Sequence, residues 1–293
     1  MIKLDNVSKG YGGKRAIENI NLSLAPGQIH GVVGENGAGK TTLIKCMAGI
    51  YKADSGKVTY HEEKIYGNIN LKGKIGYISD SNDYISGYTV DRMIKLYETC
   101  FPRFDKEKFT ELNKRFKLEY KRKIETMSKG QKMRLAFMLE LAKKPEYLLM
   151  DEPTSGLDPV AKKNFYEILI EEVERENIGV LISSHNLNDL EKLCDVITIL
   201  EEGKVFNYSE LDQLKNSLTK VQAVFESGVE KKLLSRDAVV KCTNVGNVFT
   251  LVVEDYDESK ESWLKKLGAG YIEVLDMSLE ELYITLKERE GAY

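Results

Sequence analysis

The chain has 293 residues, 42% of them hydrophobic, and a nearly balanced charge of 43 basic against 46 acidic side chains, for a formal net charge of −3. That is enough chain for one large domain plus a smaller one with an ordinary buried core, and it carries no global basic field, which excludes nucleic-acid binding as a bulk electrostatic effect. Cys46, Cys100, Cys194 and Cys242 have neither the spacing of a metal site nor the density of a disulfide scaffold, so a reducing compartment is expected.

In chain order, the opening reads as β structure. "IKLDNVS" is followed by a glycine-rich turn around Tyr11, then by "AIENINLSL", whose apolar residues alternate up to the Pro26-Gly27 turn. "IHGVV" is a short buried strand, and from Lys40 "KTTLIKCMAGI" has helical character. Between them lies "GENGAGKTT", Gly34 to Thr42. The pattern Gly34-x-x-x-x-Gly39-Lys40-Thr41 is a phosphate-binding loop, in which glycines let successive backbone N–H groups curl around a polyphosphate without Cβ clashes. The following helix adds its positive N-terminal end, Lys40 reaches the β and γ phosphates, and Thr41 offers a hydroxyl to Mg²⁺.

The segment from about residue 83 to 144, with charged stretches such as "FDKEKFTELNKRFKLEYKRK", reads as a helical insert, and its basic run "NKRFKLEYKRK" as a solvated helix face. "YLLM" then ends at Asp151-Glu152 and "GVLIS" just before His185; runs apolar on both faces suit parallel strands covered by helices. The intervening "PVAKKNFYEILIEEVERE" puts Val160, Phe165, Ile168, Leu169 and Val173 on roughly one helical face. Strand, helix, strand implies a doubly wound α/β core, with Asp151 at a strand's C-terminal edge, where ligands bind in such sheets. Asp151 suits the Mg²⁺ shell, and Glu152 suits a group that accepts a proton from, or orients, an attacking water. After about Lys215, "VQAVFES", "VFTLVVE" and "YIEVL" look like strands and "ESWLKKL" and "SLEELYITLKE" like helices, the last opened by a Ser278/Glu281 capping box.

"MSKGQ" at Met127 to Gln131 resembles the signature of the ATP-binding cassette (ABC) family, and it precedes "YLLMDEP" by the interval usual there. "SGLDP", carrying Asp158, resembles that family's D-loop, and "ISSHNL" puts His185 at its switch histidine. Tyr11 matches the aromatic that stacks on adenine. The resemblance spans about residues 1–215 and implies a P-loop NTPase (RecA-like) α/β core with an N-terminal antiparallel β subdomain and the helical insert, followed by a small α+β domain over 216–293. It implies Tyr11, Gly34, Asn36, Gly37, Ala38, Gly39, Lys40, Thr41 and Thr42 as nucleotide contacts, and Glu152, His185 and Lys40 as catalytic groups. Ser128, Gly130, Gln131 and Asp158 would act across a head-to-tail dimer with a second ABC subunit, identical or not, that sandwiches two ATP molecules.

Two positions depart from the family pattern. Asp80 stands where a glutamine is usual at the end of "IGYI"; a carboxylate can still bind Mg²⁺ or its water, so it joins Thr41 and Asp151 as a metal candidate. Lys129 replaces the commonest glycine of the signature and is expected to point to solvent. The resemblance further implies an ATP-hydrolysing subunit of a membrane transporter, cytoplasmic and held at the inner face of the membrane by a separate transmembrane permease docking near Asp80 to Tyr97. No apolar run approaches the roughly 20 residues that cross a bilayer. The "SLEE" near the end resembles exporter-type cassettes; a soluble cassette serving ribosomes, DNA or an assembly scaffold is the alternative.

Overall fold

Alternating apolar residues at the N-terminus build an antiparallel layer rather than a lone hairpin. In the computed structural model, which describes residues 1–82, 84–225 and 238–289, β1 (Ile2–Tyr11) pairs with β2 (Lys14–Leu24) through Ile2↔Leu24 and Leu4↔Leu22. Tyr11 is the last residue of β1, and the turn belongs to Gly12 and Gly13, both at positive φ, because only two residues separate the strands. Next come β3 (Ile29–Val33), α1 (Lys40–Met47), β4 (Ser55–Tyr60) and β5 (Glu63–Lys64), the last two completing a four-stranded sheet in the order β2-β1-β4-β5.

The short α2 (Ile69–Lys72) leads into β6 (Ile75–Ile78). The insert is helical: α3 (Val90–Cys100), α4 (Lys106–Phe116), a 3-10 turn at Ile124–Thr126 and α5 (Lys129–Ala142). Asp83, the expected start of this insert, lies outside the described residues. The basic run keeps its charges largely in solvent while Phe116 and Leu118 are buried, and Arg115 reaches Glu167 and Glu171 at 3.2 and 2.8 Å.

The chain then alternates β7 (Tyr147–Asp151), α6 (Pro159–Glu176), β8 (Gly179–Ser184), α7 (Leu187–Glu191), β9 (Val196–Glu201) and β10 (Lys204–Glu210). The six-stranded sheet runs β10-β9-β3-β8-β7-β6, with β3, β6, β7, β8 and β9 parallel. Every residue of β3, β7 and β8 is buried, as strands covered on both faces require. On α6, Phe165, Ile168, Leu169 and Val173 are buried, whereas Val160 is 71% exposed, which corrects its expected place on that face. At about 100° per residue, Val160 lies on the side of the helix opposite Leu169. The ring of Phe165 lies 4.0 Å from that of Phe137 on α5, which ties the insert to the core.

The chain divides into two units, one of Met1–Asn186 with Leu193–Tyr208, the other of Leu187–Lys192 with the residues from Ser209 on. The second unit holds α8 (Leu211–Ser217), β11 (Leu218–Phe225), β12 (Val239–Val245), β13 (Val248–Glu254), α9 (Glu258–Lys266), β14 (Ala269–Leu275) and α10 (Leu279–Arg289). Glu226 and Ser227, the end of the expected strand "VQAVFES", lie outside the described residues. Its antiparallel sheet, β12-β13-β11-β14, buries Val221, Phe225, Leu251 and Leu264. The Ser278 hydroxyl accepts from the Glu281 amide at 3.2 Å and the Glu281 carboxylate from the Ser278 amide at 3.3 Å, so the capping box forms.

Candidate functional site

The loop after β3 is shaped by its glycines, of which Gly37 and Gly39 stand at positive φ. Gly39 caps α1 at φ 107°, and a Cβ there would sit 2.5 Å from the Ala16 carbonyl oxygen and 2.7 Å from Ile17. Such a contact is impossible without moving backbone, in addition to the left-handed conformation that side chains resist. The loop therefore lies tight on β2, beside the positive end of α1.

A cavity of about 470 Å³ opens over this loop, lined by Tyr11, Asn36, Gly37, Gly39, Lys40, Thr41, Thr42, Asp80, Asp151 and Glu152, and also by Lys14, Arg15, Ala16 and Glu35, which the pattern of the sequence did not single out. Gly34 and Ala38 do not line it. Gly34 instead accepts the Lys40 ammonium on its carbonyl at 2.6 Å, with Glu35 O at 3.2 Å, and Ala38 is buried beneath. Tyr11, at the rim and 46% exposed, meets Tyr51 edge-on with ring centroids 5.8 Å apart.

The sheet order puts the carboxylates of β7 beside α1. Thr41 Oγ1 donates to Asp151 Oδ2 at 2.6 Å, and Ser183 Oγ, from β8, donates to Asp151 Oδ1 at 2.7 Å while accepting the Glu152 amide at 3.0 Å. Ser183 was legible only as part of "SSH", and its role comes from the neighbouring strand. Glu152 is held at φ 48°, a conformation rare for a residue with a side chain and a form of strain found at functional sites. Its carboxylate lies 3.8 Å from Lys40 Nζ through Oε1 and 2.8 Å from His185 Nδ1 through Oε2. His185 does not line the cavity and reaches it through Glu152.

Ser128, Gly130, Gln131 and Asp158 are not among the lining residues of the same chain's cavity. Ser128 and Gln131 form a reciprocal capping box at 3.2 and 3.1 Å that starts α5. Gly130 lies so close to the turn before α6 that a Cβ would meet Gly156 O at 2.6 Å. Asp158 caps α6 through the Ala161 amide at 2.9 Å, which holds its carboxyl below the usual range, and Arg134 pairs with it at 3.1 Å. Lys129 does not point free into solvent, which corrects the expectation: its ammonium lies 2.5 Å from Asp80 Oδ1 and 3.0 Å from Ser155 Oγ, because the end of β6 brings a carboxylate within reach.

The donors suit a small hard cation. A threonine hydroxyl and a carboxylate sit 2.6 Å apart next to the phosphate loop, the sparse oxygen set Mg²⁺ uses when phosphate oxygens and water complete its shell. Among the described residues there is no group of three or more His, Cys, Asp and Glu able to hold a metal by themselves.

Residues 17–155 match the family described as ABC transporter. The chain is 30% identical, over 97% of its length and 97% of the relative's, to the ABC transporter ATP-binding protein YtrB of Bacillus subtilis. It is 32% identical over 77% of its length to the lantibiotic transport ATP-binding protein SrtF of Streptococcus pyogenes, covering 99% of that protein. A solved dimer of the ATP-binding cassette MJ0796 in a post-hydrolysis state with ADP and Pi superposes with a TM-score of 0.66 at 25% identity, covering 72% of this chain and 99% of that one.

Proposed function

We propose, from the premise that this chain belongs to the ABC transporter ATP-binding proteins, that it hydrolyses Mg·ATP in a head-to-tail dimer and so drives export of a substrate through a separate permease. The observation that carries this reading is the convergence of the phosphate loop, the Thr41–Asp151 pair and the Glu152–His185 contact on one cavity.

In this mechanism the loop amides and the α1 N-terminus bind the phosphates, and Tyr11 stacks on the base. Lys40 turns its ammonium from the loop carbonyls toward the β and γ phosphates. Thr41 and Asp151 hold Mg²⁺, which neutralises phosphate charge when bound. Glu152 orients the attacking water and takes its proton, while His185, donating Nδ1–H to the ionised carboxylate, fixes its direction and presents its other nitrogen toward the γ-phosphate. Ser128 and Gly130, held by the Gln131 capping box, close on the partner's nucleotide, and Asp158 supports that face by starting α6.

A separate permease is supported by relatives matched over 97% and 99% of their own length being named as ATP-binding proteins of transporters. Among the described residues no helix is long and apolar enough to cross a membrane. The permease would hold the chain at the cytoplasmic face of the bilayer. Export is assigned on the "SLEE" at the start of α10, and transport names among the relatives favour this reading over ribosomal, DNA-linked or scaffold roles. The test is ATP hydrolysis by the purified chain together with isolation from membranes at native expression: a stoichiometric multi-span partner is expected, and ribosomes or a soluble scaffold in its place would overturn the assignment.

A further inference from the structure

The two residues at which the chain departs from its family's pattern touch each other. Asp80 lies two residues past the end of β6 and lines the nucleotide cavity; Lys129 opens α5, next to Ser128 and Gly130. Their charged groups are 2.5 Å apart, and the same ammonium reaches Ser155 Oγ at 3.0 Å, in the turn between β7 and α6. One lysine thereby bridges three elements that the chain separates by 49 and 26 residues. Although Asp80, Asp151 and Glu152 line one cavity, they do not converge into a metal-holding group among the described residues.

We propose that Asp80 is the counter-ion of Lys129 rather than a metal ligand, and that the pair is a positioning device holding the signature loop in register with the wall of the chain's own nucleotide cavity. The proposal rests on the functional reading above. A carboxylate in place of a neutral amide would add negative charge where triphosphate must approach; the lysine offsets that charge and turns the position into a strut. In the head-to-tail dimer, the strut joins the wall of one nucleotide's site to the loop that closes over the other nucleotide. Filling one site then biases closure of the second through a single charged contact. Both side chains are about half exposed, so the coupling is modest and weakens with salt.

The test is steady-state ATP hydrolysis by the purified wild-type chain and by Asp80→Asn, Lys129→Gln, their double variant and Lys129→Arg. Each neutralising single variant is expected to raise the ATP concentration at half-maximal rate by about 2- to 5-fold with a smaller change in kcat, in line with a half-exposed ion pair. The double variant is expected to be no worse than either single, and Lys129→Arg, which keeps the charge, to stay near wild type. Free Mg²⁺ titrated at saturating ATP is expected to give the same midpoint in Asp80→Asn as in wild type. A raised Mg²⁺ requirement in Asp80→Asn alone would make Asp80 a metal ligand and overturn the proposal, as would single effects that multiply in the double variant, or Lys129→Arg as impaired as Lys129→Gln. Absence of hydrolysis in the wild-type chain would instead overturn the functional reading beneath it.

Discussion

His185 Nδ1 and Glu152 Oε2 stand 2.8 Å apart, with Lys40 Nζ 3.8 Å from the other oxygen of the same carboxylate. Glu152 is thus aimed by a histidine on one side and by the phosphate-loop lysine on the other, as a group that orients an attacking water must be. Glu152→Gln keeps the shape and removes the base. Hydrolysis is expected to fall by about 10²- to 10⁴-fold with ATP still bound, which single-turnover measurements against equilibrium binding would show; normal turnover would remove Glu152 from this role.

Ser183 bears on two acidic residues at once, through the Asp151 carboxylate and the Glu152 backbone amide. Ser183→Ala frees Asp151 Oδ1 and leaves the Glu152 amide without its acceptor, in surroundings where Ser183 itself is fully buried. A loss of about 1–3 kcal/mol in folding stability is expected, together with a higher Mg²⁺ concentration at half-maximal rate. Chemical denaturation in parallel with a Mg²⁺ titration checks both, and a variant unchanged in each would mean that Asp151 and Glu152 are held by other contacts.

Gly39→Ala tests the loop. The added methyl meets Ala16 O at 2.5 Å at a φ of 107°, so the loop must lift from β2. The conformation alone costs about 1–3 kcal/mol, and ATP affinity is expected to be lost before the fold is. Nucleotide titration by calorimetry on a folded variant, confirmed by circular dichroism, decides it: binding of wild-type strength would show that the loop's fit on β2 is dispensable.

His30 sets a pH dependence away from the site. It is fully buried in β3, its Nε2 2.7 Å from Thr198 Oγ1, and burial lowers its pKa from 6.5 to about 4. The unfolded chain therefore binds this proton at a higher pH than the folded one. The stability His30 lends by staying neutral is complete above about 6.5, falls as pH drops toward 4, and changes no further below, a loss of about 3 kcal/mol across that window. Denaturation midpoints of wild type and His30→Gln between pH 7.5 and 4 should differ in slope there; parallel curves would show that this histidine does not titrate on unfolding.

The chemistry that depends on neighbours along the chain was legible in the sequence. Gly34 to Thr42 form one covalent turn, and the capping box of Ser278 and Glu281 closes over three residues, so spacing by itself fixes which groups meet. The buried runs of β3, β7 and β8 announced a covered parallel sheet in the same way, since an apolar residue at every position leaves no face for water. Tertiary structure decided what distant segments do to one another: Thr41 against Asp151, Ser183 against the Asp151 carboxylate, and Lys129 on Asp80. Those contacts cross 110, 32 and 49 residues. They exist because the strand order β3-β8-β7-β6 stacks the C-terminal strand ends side by side, whereas side-chain spacing along a chain carries no information about which edge will lie next to which.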